Sequence, residues 1–226
     1  MKKISLALAV MVMSLLISGV AFAGDGGFYG AIKAGGSFLD ADKTHSTNAT
    51  TATVTKSKFS TDSAGVIGAA VGYNWMDMDL PIRTEVEYMY HSDFKYKYED
   101  SNSTLTDEIN IQTLMLNGYW DFYNSTAFTP YINAGVGFAW VKEDFKTGGT
   151  VSLSEPSSKT NTNFAWNVGA GVGWSITESV ILDLAYRYDY YGDGQKVTGT
   201  STGKSVTSQV KDLATHNVLL GLRYQF

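Results

Sequence analysis

The stretch FAWNVGAGVGWSI, residues 164–176, decides the fold class. Read at every second position, it separates into two unlike sets. Phe164, Trp166, Val168, Ala170, Val172, Trp174 and Ile176 make one face; Ala165, Asn167, Gly169, Gly171, Gly173 and Ser175 make the other. Side chains alternate across the two faces of a strand but recur every 3.6 residues in a helix. The segment is therefore a strand with one bulky apolar face and one face of small or polar groups. Its glycines are alternate strand residues with no helix after them, so they do not form a dinucleotide-binding loop.

The same alternation occurs in seven more segments. Ile82, Thr84, Val86, Tyr88 and Tyr90 oppose Arg83, Glu85, Glu87, Met89 and His91. Within 180–190, Leu182, Leu184, Tyr186 and Tyr188 oppose Asp183, Arg187 and Asp189. At the C-terminus, Val218, Leu220, Leu222, Tyr224 and Phe226 oppose Asn217, Gly221, Arg223 and Gln225. Weaker versions run over about 28–38, 65–75, 109–122 and 130–141. Segments of about 11–14 residues exceed the five or six usual in soluble sheets and approach the 9–11 of a tilted membrane strand.

Connections between the segments alternate in length. Residues 39–63, 95–107, 142–161 and 192–211 are long, while 76–81, 123–128 and 177–179 are short. All five tryptophans (Trp75, Trp120, Trp140, Trp166 and Trp174) fall on apolar faces near segment ends. With Tyr224 and Phe226 they read as aromatic girdles around a lipid-facing band. The expected fold is all-β: an eight-stranded antiparallel up-and-down transmembrane β-barrel, preferred over a secreted sandwich or lipocalin-like barrel. An even strand count puts both mature termini in the periplasm and the long Thr/Ser-rich loops outside, where they should be mobile.

Composition narrows the classes further. The chain has 226 residues, no cysteine, 23 glycines and 13% aromatic residues. A disulfide scaffold and a cysteine nucleophile are excluded, and so is a disordered chain. Beyond the first 23 residues no apolar run is long enough for a membrane helix. Residues 1–23 read as a signal peptide: Lys2 and Lys3, an apolar run Ile4–Val20, then Ala21, Phe22 and Ala23 before a cut at Gly24. The expected barrel domain is 24–226, with net charge −7.

Several stretches carry a family resemblance: residues 27–36 (GFYGAIKAGG), 114–122 (LMLNGYWDF), 129–137 (TPYINAGVG) and 216–226 (HNVLLGLRYQF). In order and spacing they resemble small outer-membrane barrels of the opacity protein and outer membrane protein A type, over essentially all of 24–226. The resemblance implies an eight-stranded barrel of a Gram-negative envelope whose outer loops serve adhesion or other cell-surface contacts. Unlike outer membrane protein A, the chain is not expected to carry a peptidoglycan-binding domain after the barrel.

Parity places nine charges inside: Lys33, Arg83, Arg187 and Arg223 against Glu85, Glu87, Asp121, Asp183 and Asp189. Arg83 with Asp121, and Asp183 with Arg223, are expected pairs near the periplasmic end. The Glu85/Glu87 wall should face the Arg187/Arg223 wall. Eight strands leave an interior that side chains can fill, so the reading is a salt-bridged plug. The runner-up is a small porin or solute channel.

A lipid-A-modifying or protease-type enzyme is the third reading. The three histidines, His45, His91 and His216, are scattered. His91 and Ser92 point to opposite faces, which leaves His91 with Asp93 or Asp189 as the nearest approach to a protease site. No catalytic, cofactor or metal site is expected. Expected partners are outer-membrane lipid and lipopolysaccharide, the barrel-assembly machinery through the Phe226 strand, and a host or environmental surface ligand at the loops. Residues 93–108 carry two lysines and five acids; no loop offers a basic patch, so nucleic acid is not expected.

Overall fold

The computed structural model describes residues 27–47, 55–58, 63–100, 103–149, 151–153, 158–193, 196–201 and 204–226. The expected signal peptide lies outside them. Eight long strands form the wall: β1 (Gly27–Thr47), β2 (Ser63–Asn74), β3 (Ile82–Asp100), β4 (Ser103–Asp121), β5 (Phe128–Gly149), β6 (Ser158–Ser175), β7 (Val180–Tyr190) and β8 (Lys204–Gln225). Each pairs antiparallel with the next, and β8 returns to pair with β1 from Tyr29↔Gln225 upward. Closure leaves no edge within the wall, the condition for a sheet whose outside meets hydrocarbon. Short strands Thr55–Lys58 and Lys196–Ser201 pair with the wall at the end opposite the tight turns, and Val151–Leu153 pairs with Lys196–Ser201.

The outer surface is apolar. Ile32, Ile67, Leu116, Ile132, Val136 and Leu220 are each more than half exposed, an arrangement that water would penalise. Rings gather at both margins of this band. At the turn end Phe128 stacks on Trp174, Phe28 meets Tyr73 edge-on, and Tyr224 meets Phe226. At the hairpin end Trp166 contacts Tyr188 and Tyr190. Trp166 and Trp174 are eight residues apart on β6. That spacing is about 26 Å along the strand and about 20 Å along the axis at a tilt near 40°.

The structure departs from the sequence reading in three places. First, the strands are longer than the periodic segments. Residues 95–107, read as a loop, are mostly ladder, paired from Phe94↔Ile109 to Asp100↔Ser103. Likewise β1 and β8 remain paired to Thr47↔Val206, and β5 and β6 to Asp144↔Ser158. In these stretches the hydrogen-bonded ladder continues although the sequence shows no hydrophobic alternation.

Second, β2 ends at Asn74. Trp75 opens a 3-10 turn, Trp75–Met78, in which the Asn74 side chain accepts from the Met76 N–H and Asp79 adopts φ 57°. Trp75 still belongs to the turn-end ring cluster, 4.9 Å from Tyr73, and its Nε1 donates to Thr84 Oγ1 at 3.0 Å. Third, bulges break register between His91 and Phe94 and between Asp40 and Asp42, the latter beside Asp212 at φ 52°. Such bulges sit characteristically at barrel rims.

Inward glycines let neighbouring groups approach closely. A Cβ on Gly137 would lie 2.1 Å from the Leu114 carbonyl oxygen and 2.8 Å from Met115 Cα. At outward Gly118 the nearest atom would be 4.0 Å away. Gly137→Ala should therefore destabilise the barrel by about 1–3 kcal/mol, while Gly118→Ala should be near neutral. Urea unfolding followed by the heat-modifiable gel shift measures both.

Candidate functional site

The inward positions of all eight strands converge on one narrow lumen. All nine charges named from parity are inside it, and each is ion-paired with another of the nine. Nearest the turn end, Arg83 forms a two-pronged pair with Asp121, Nε to Oδ2 at 2.7 Å and Nη2 to Oδ1 at 2.9 Å. These strands are neighbours, and Arg83 lies directly across from Tyr119, two residues from Asp121. Arg223 reaches Asp183 at 3.2 and 3.3 Å across the last hairpin. It does not join the Glu85/Glu87 wall.

The middle layer crosses the barrel. Lys33 on β1 donates to Glu85, to Glu87 at 2.6 Å and to the Tyr119 hydroxyl at 3.1 Å. Arg187 on β7 reaches Glu87 on β3 through Nη1 at 2.6 Å and its neighbour Asp189 through Nε at 3.0 Å. Glu87 thus sits between two cations from different walls. Glu85 also accepts from Tyr119 at 2.9 Å and Tyr29 at 3.2 Å. Burying ions is costly unless they are paired and hydrogen-bonded, and here both conditions hold.

Three further components surround these charges. Tyr29, Tyr119 and Tyr131 surround the Arg83 guanidinium, whose carbon lies 5.9, 4.4 and 5.1 Å from their ring centres. Tyr29 shares the parity of Lys33, Tyr119 that of Asp121 and Tyr131 that of Asn133. A second component is an amide relay, with Asn133 donating to Asn167 at 2.9 Å and Asn167 donating to Asn117 at 2.8 Å.

The third component caps the charges at the hairpin end. Phe94, Ile109, Ile111, Val141, Tyr191 and Leu213 pack there as a buried apolar cluster. The bulge after His91 turns Phe94 inward, against simple alternation. Glu143 is also fully buried, beyond the segment end read from the sequence. Between cap and charges, Tyr191 meets Thr215 at 2.8 Å and His91 Nε2 at 3.3 Å, and Asn217 donates to Thr215 and Asp189.

Little space remains. A cavity of about 20 Å³ among Lys33, Arg83, Glu85, Tyr131 and Arg187 has room for one water. Toward the turn end the lumen widens to a vestibule of about 600 Å³, bordered by Asp121, Tyr123, Arg223 and Gln225.

Among the described residues, neither His91 nor His216 hydrogen-bonds a serine. His91 is buried inside, whereas Ser92 Oγ accepts from the Gly65 N–H at 2.9 Å. Asp93 accepts from Asn110 at 3.1 Å, and Asp189 is held by Arg187. His216 is outside, against Tyr186 and Tyr188; the side chain of His45 lies outside the described residues.

Comparison with known proteins fits this geometry. The outer membrane protein beta-barrel domain family matches residues 6–226. The chain belongs to that family. Outer membrane protein PagN of Salmonella typhimurium is 33% identical over 171 residues, 70% of this chain and 72% of PagN. A candidate adhesin of Rickettsia conorii is 33% identical over 175 residues, 74% of this chain and 69% of the other. Neisserial surface protein A has the same fold, with TM-score 0.55 and 19% identity over 91% of this chain and all of that one. The protein is thus an outer-membrane β-barrel.

The two turn-end pairs should differ in weight. Arg83→Ala leaves Asp121 buried without its partner and should cost about 3–5 kcal/mol. Arg223→Ala, with longer and more accessible contacts, should cost less. Urea midpoints of the refolded variants give the ranking.

Proposed function

We propose that the barrel is a non-enzymatic anchor that presents surface-contact hairpins outside the cell, with both termini in the periplasm and the lumen closed to solutes. One observation carries the reading: the wall extends far past the apolar band at one end only. β5 and β8 each have 22 residues, about twice the 9–11 that cross a bilayer. Their surplus stands at the hairpin end. The turn end has connections such as Asn124–Ala127, held by Asn124 side-chain hydrogen bonds to Thr126 and Phe128. The adhesin-like Rickettsia relative supports a contact role for the hairpins.

Orientation has a direct test. The chain has no native cysteine, so Thr160→Cys, exposed on the hairpin side of β6, provides a single label site. A membrane-impermeant maleimide should label it on intact cells; labelling only after lysis would reverse the orientation. Adhesion is tested by binding of cells to host matrix, with wild type compared with a barrel whose hairpins are cut back to the level of His91. Binding should fall to the background of barrel-free cells, and equal binding would remove the contact role.

Closure of the lumen draws support from its two successive layers, an ion-paired one and an apolar one. Wild-type protein in planar bilayers should be silent. Glu87→Ala leaves Lys33 and Arg187 without their shared carboxylate and should produce unstable conductance steps. A wild-type barrel with steady conductance would favour the channel reading.

A further inference from the structure

His91 stands where the two barriers of the bore meet. Its ring is fully buried. It stacks on Phe94, with centroids 6.5 Å apart and planes at 29°, and meets Tyr191 edge-on at 5.9 Å. Both neighbours belong to the apolar cap, as does Ile111, its cross-strand partner on β4. The Ile111 backbone runs alongside, yet Nδ1 makes no hydrogen bond. Nε2 lies 3.3 Å from the Tyr191 hydroxyl, which is 2.8 Å from Thr215 Oγ1. Thr215 also accepts from Asn217 at 2.9 Å, and Asn217 donates to Asp189 in the ionic layer. One polar chain thus links the cap to the ion pairs. Charged groups reach the ring from several elements. Glu87 on β3 and Arg187 on β7 act on it through space, Asp189 on β7 through that chain, and Glu143 on β5 is buried opposite Ile109 in the cap. Tyr191, just past β7, and Thr215 and Asn217 on β8 complete its polar surroundings. The two carboxylates of the ionic layer are engaged: Glu87 holds Lys33 and Arg187, and Asp189 holds Arg187 and Asn217.

We infer that His91 is a proton-operated latch that gives this barrel a second activity, passage of small ions at acid pH. The inference rests on the closed lumen of the proposed function. In a neutral imidazole one nitrogen accepts and the other donates; in the imidazolium both donate. The Tyr191 hydroxyl can then only accept from Nε2 and must direct its own proton to Thr215. Thr215 already accepts from Asn217, so its proton turns away from Tyr191 and the chain toward Asp189 rearranges. The N–H at Nδ1 has no acceptor, and the new charge lies among Phe94, Ile111 and Tyr191 with the Arg187 cation nearby. A buried charge without a partner is costly. Relief comes by one of two routes: water enters the cap to hydrate the ring, or a carboxylate turns toward it and releases Lys33 or Arg187. Each route weakens one barrier, and the shared polar chain couples the two.

The test uses the purified barrel in planar bilayers, with potassium chloride as the probe, at pH 7.5 and at pH 4.5, on either side of the range in which an ordinary histidine titrates. Wild type is compared with His91→Phe, which suits the cap, and with His91→Gln, which keeps a donor and an acceptor but cannot ionise. Heat-modifiable gel migration certifies that each is folded at both pH values. Wild type should be silent at pH 7.5. Its open probability should rise by about tenfold or more at pH 4.5 and fall again when neutral pH is restored. Both variants should stay silent throughout. A folded wild type that is silent at pH 4.5 would overturn the inference and leave the closed lumen standing. Acid opening of equal size in either variant would also overturn it, because protonation of the paired carboxylates would then be the cause. Steady wild-type conductance already at pH 7.5 would instead remove the closed lumen, and the latch with it.

Discussion

Everything in this protein follows from the requirement that no backbone N–H or C=O be left unpaired in hydrocarbon. A sheet meets it only by closing, and β1 pairs with β8 over the whole height of the wall. Closure with eight strands fixes a bore that side chains fill. That bore dictates the inner face: glycine where another backbone or side chain must approach, as at Gly137, and charges only where partners lie within reach. The outer face is free to be large and apolar, which is why the tryptophans are outside and the arginines inside.

The interior is built in layers with different jobs. Arg83 is held by a carboxylate in its plane and rings around it, so its charge is compensated without water. Glu87 joins walls that are not neighbours and acts as a cross-brace. Above it, hydroxyl and amide groups pass the polar network over to a dry cap of Phe94, Ile111 and Leu213. An ion would first have to enter the cap and then break paired charges, two unlike barriers in series.

Strand number, inward charges and the absence of a second periodic pattern were all legible, because a period of two reports in and out directly. The Arg83–Asp121 proximity also followed from parity and height. Other features were hidden for physical reasons. Ile109 and Ile111 are as apolar as lipid-facing residues, so hydrophobicity cannot tell an inner cap from an outer band. The bulge after His91 inverts parity for Phe94, and nothing in the local sequence announces it. The Thr- and Ser-rich extensions carry no hydrophobic alternation, so ladder there reads as loop. Trp75 keeps the right parity but belongs to a turn, since Asn74 caps it.

The cross-brace has a consequence for how the molecule comes together. Glu87 and Arg187 are 100 residues apart in the chain, and Lys33 and Glu87 are 54 apart. No single hairpin can unite them, and contacts at such separation form late because the intervening chain must be ordered first. Until the first and last strands meet, these side chains must keep their hydration. Closing the wall and drying the bore are therefore one event, and an assembling chain cannot shed its internal water strand by strand.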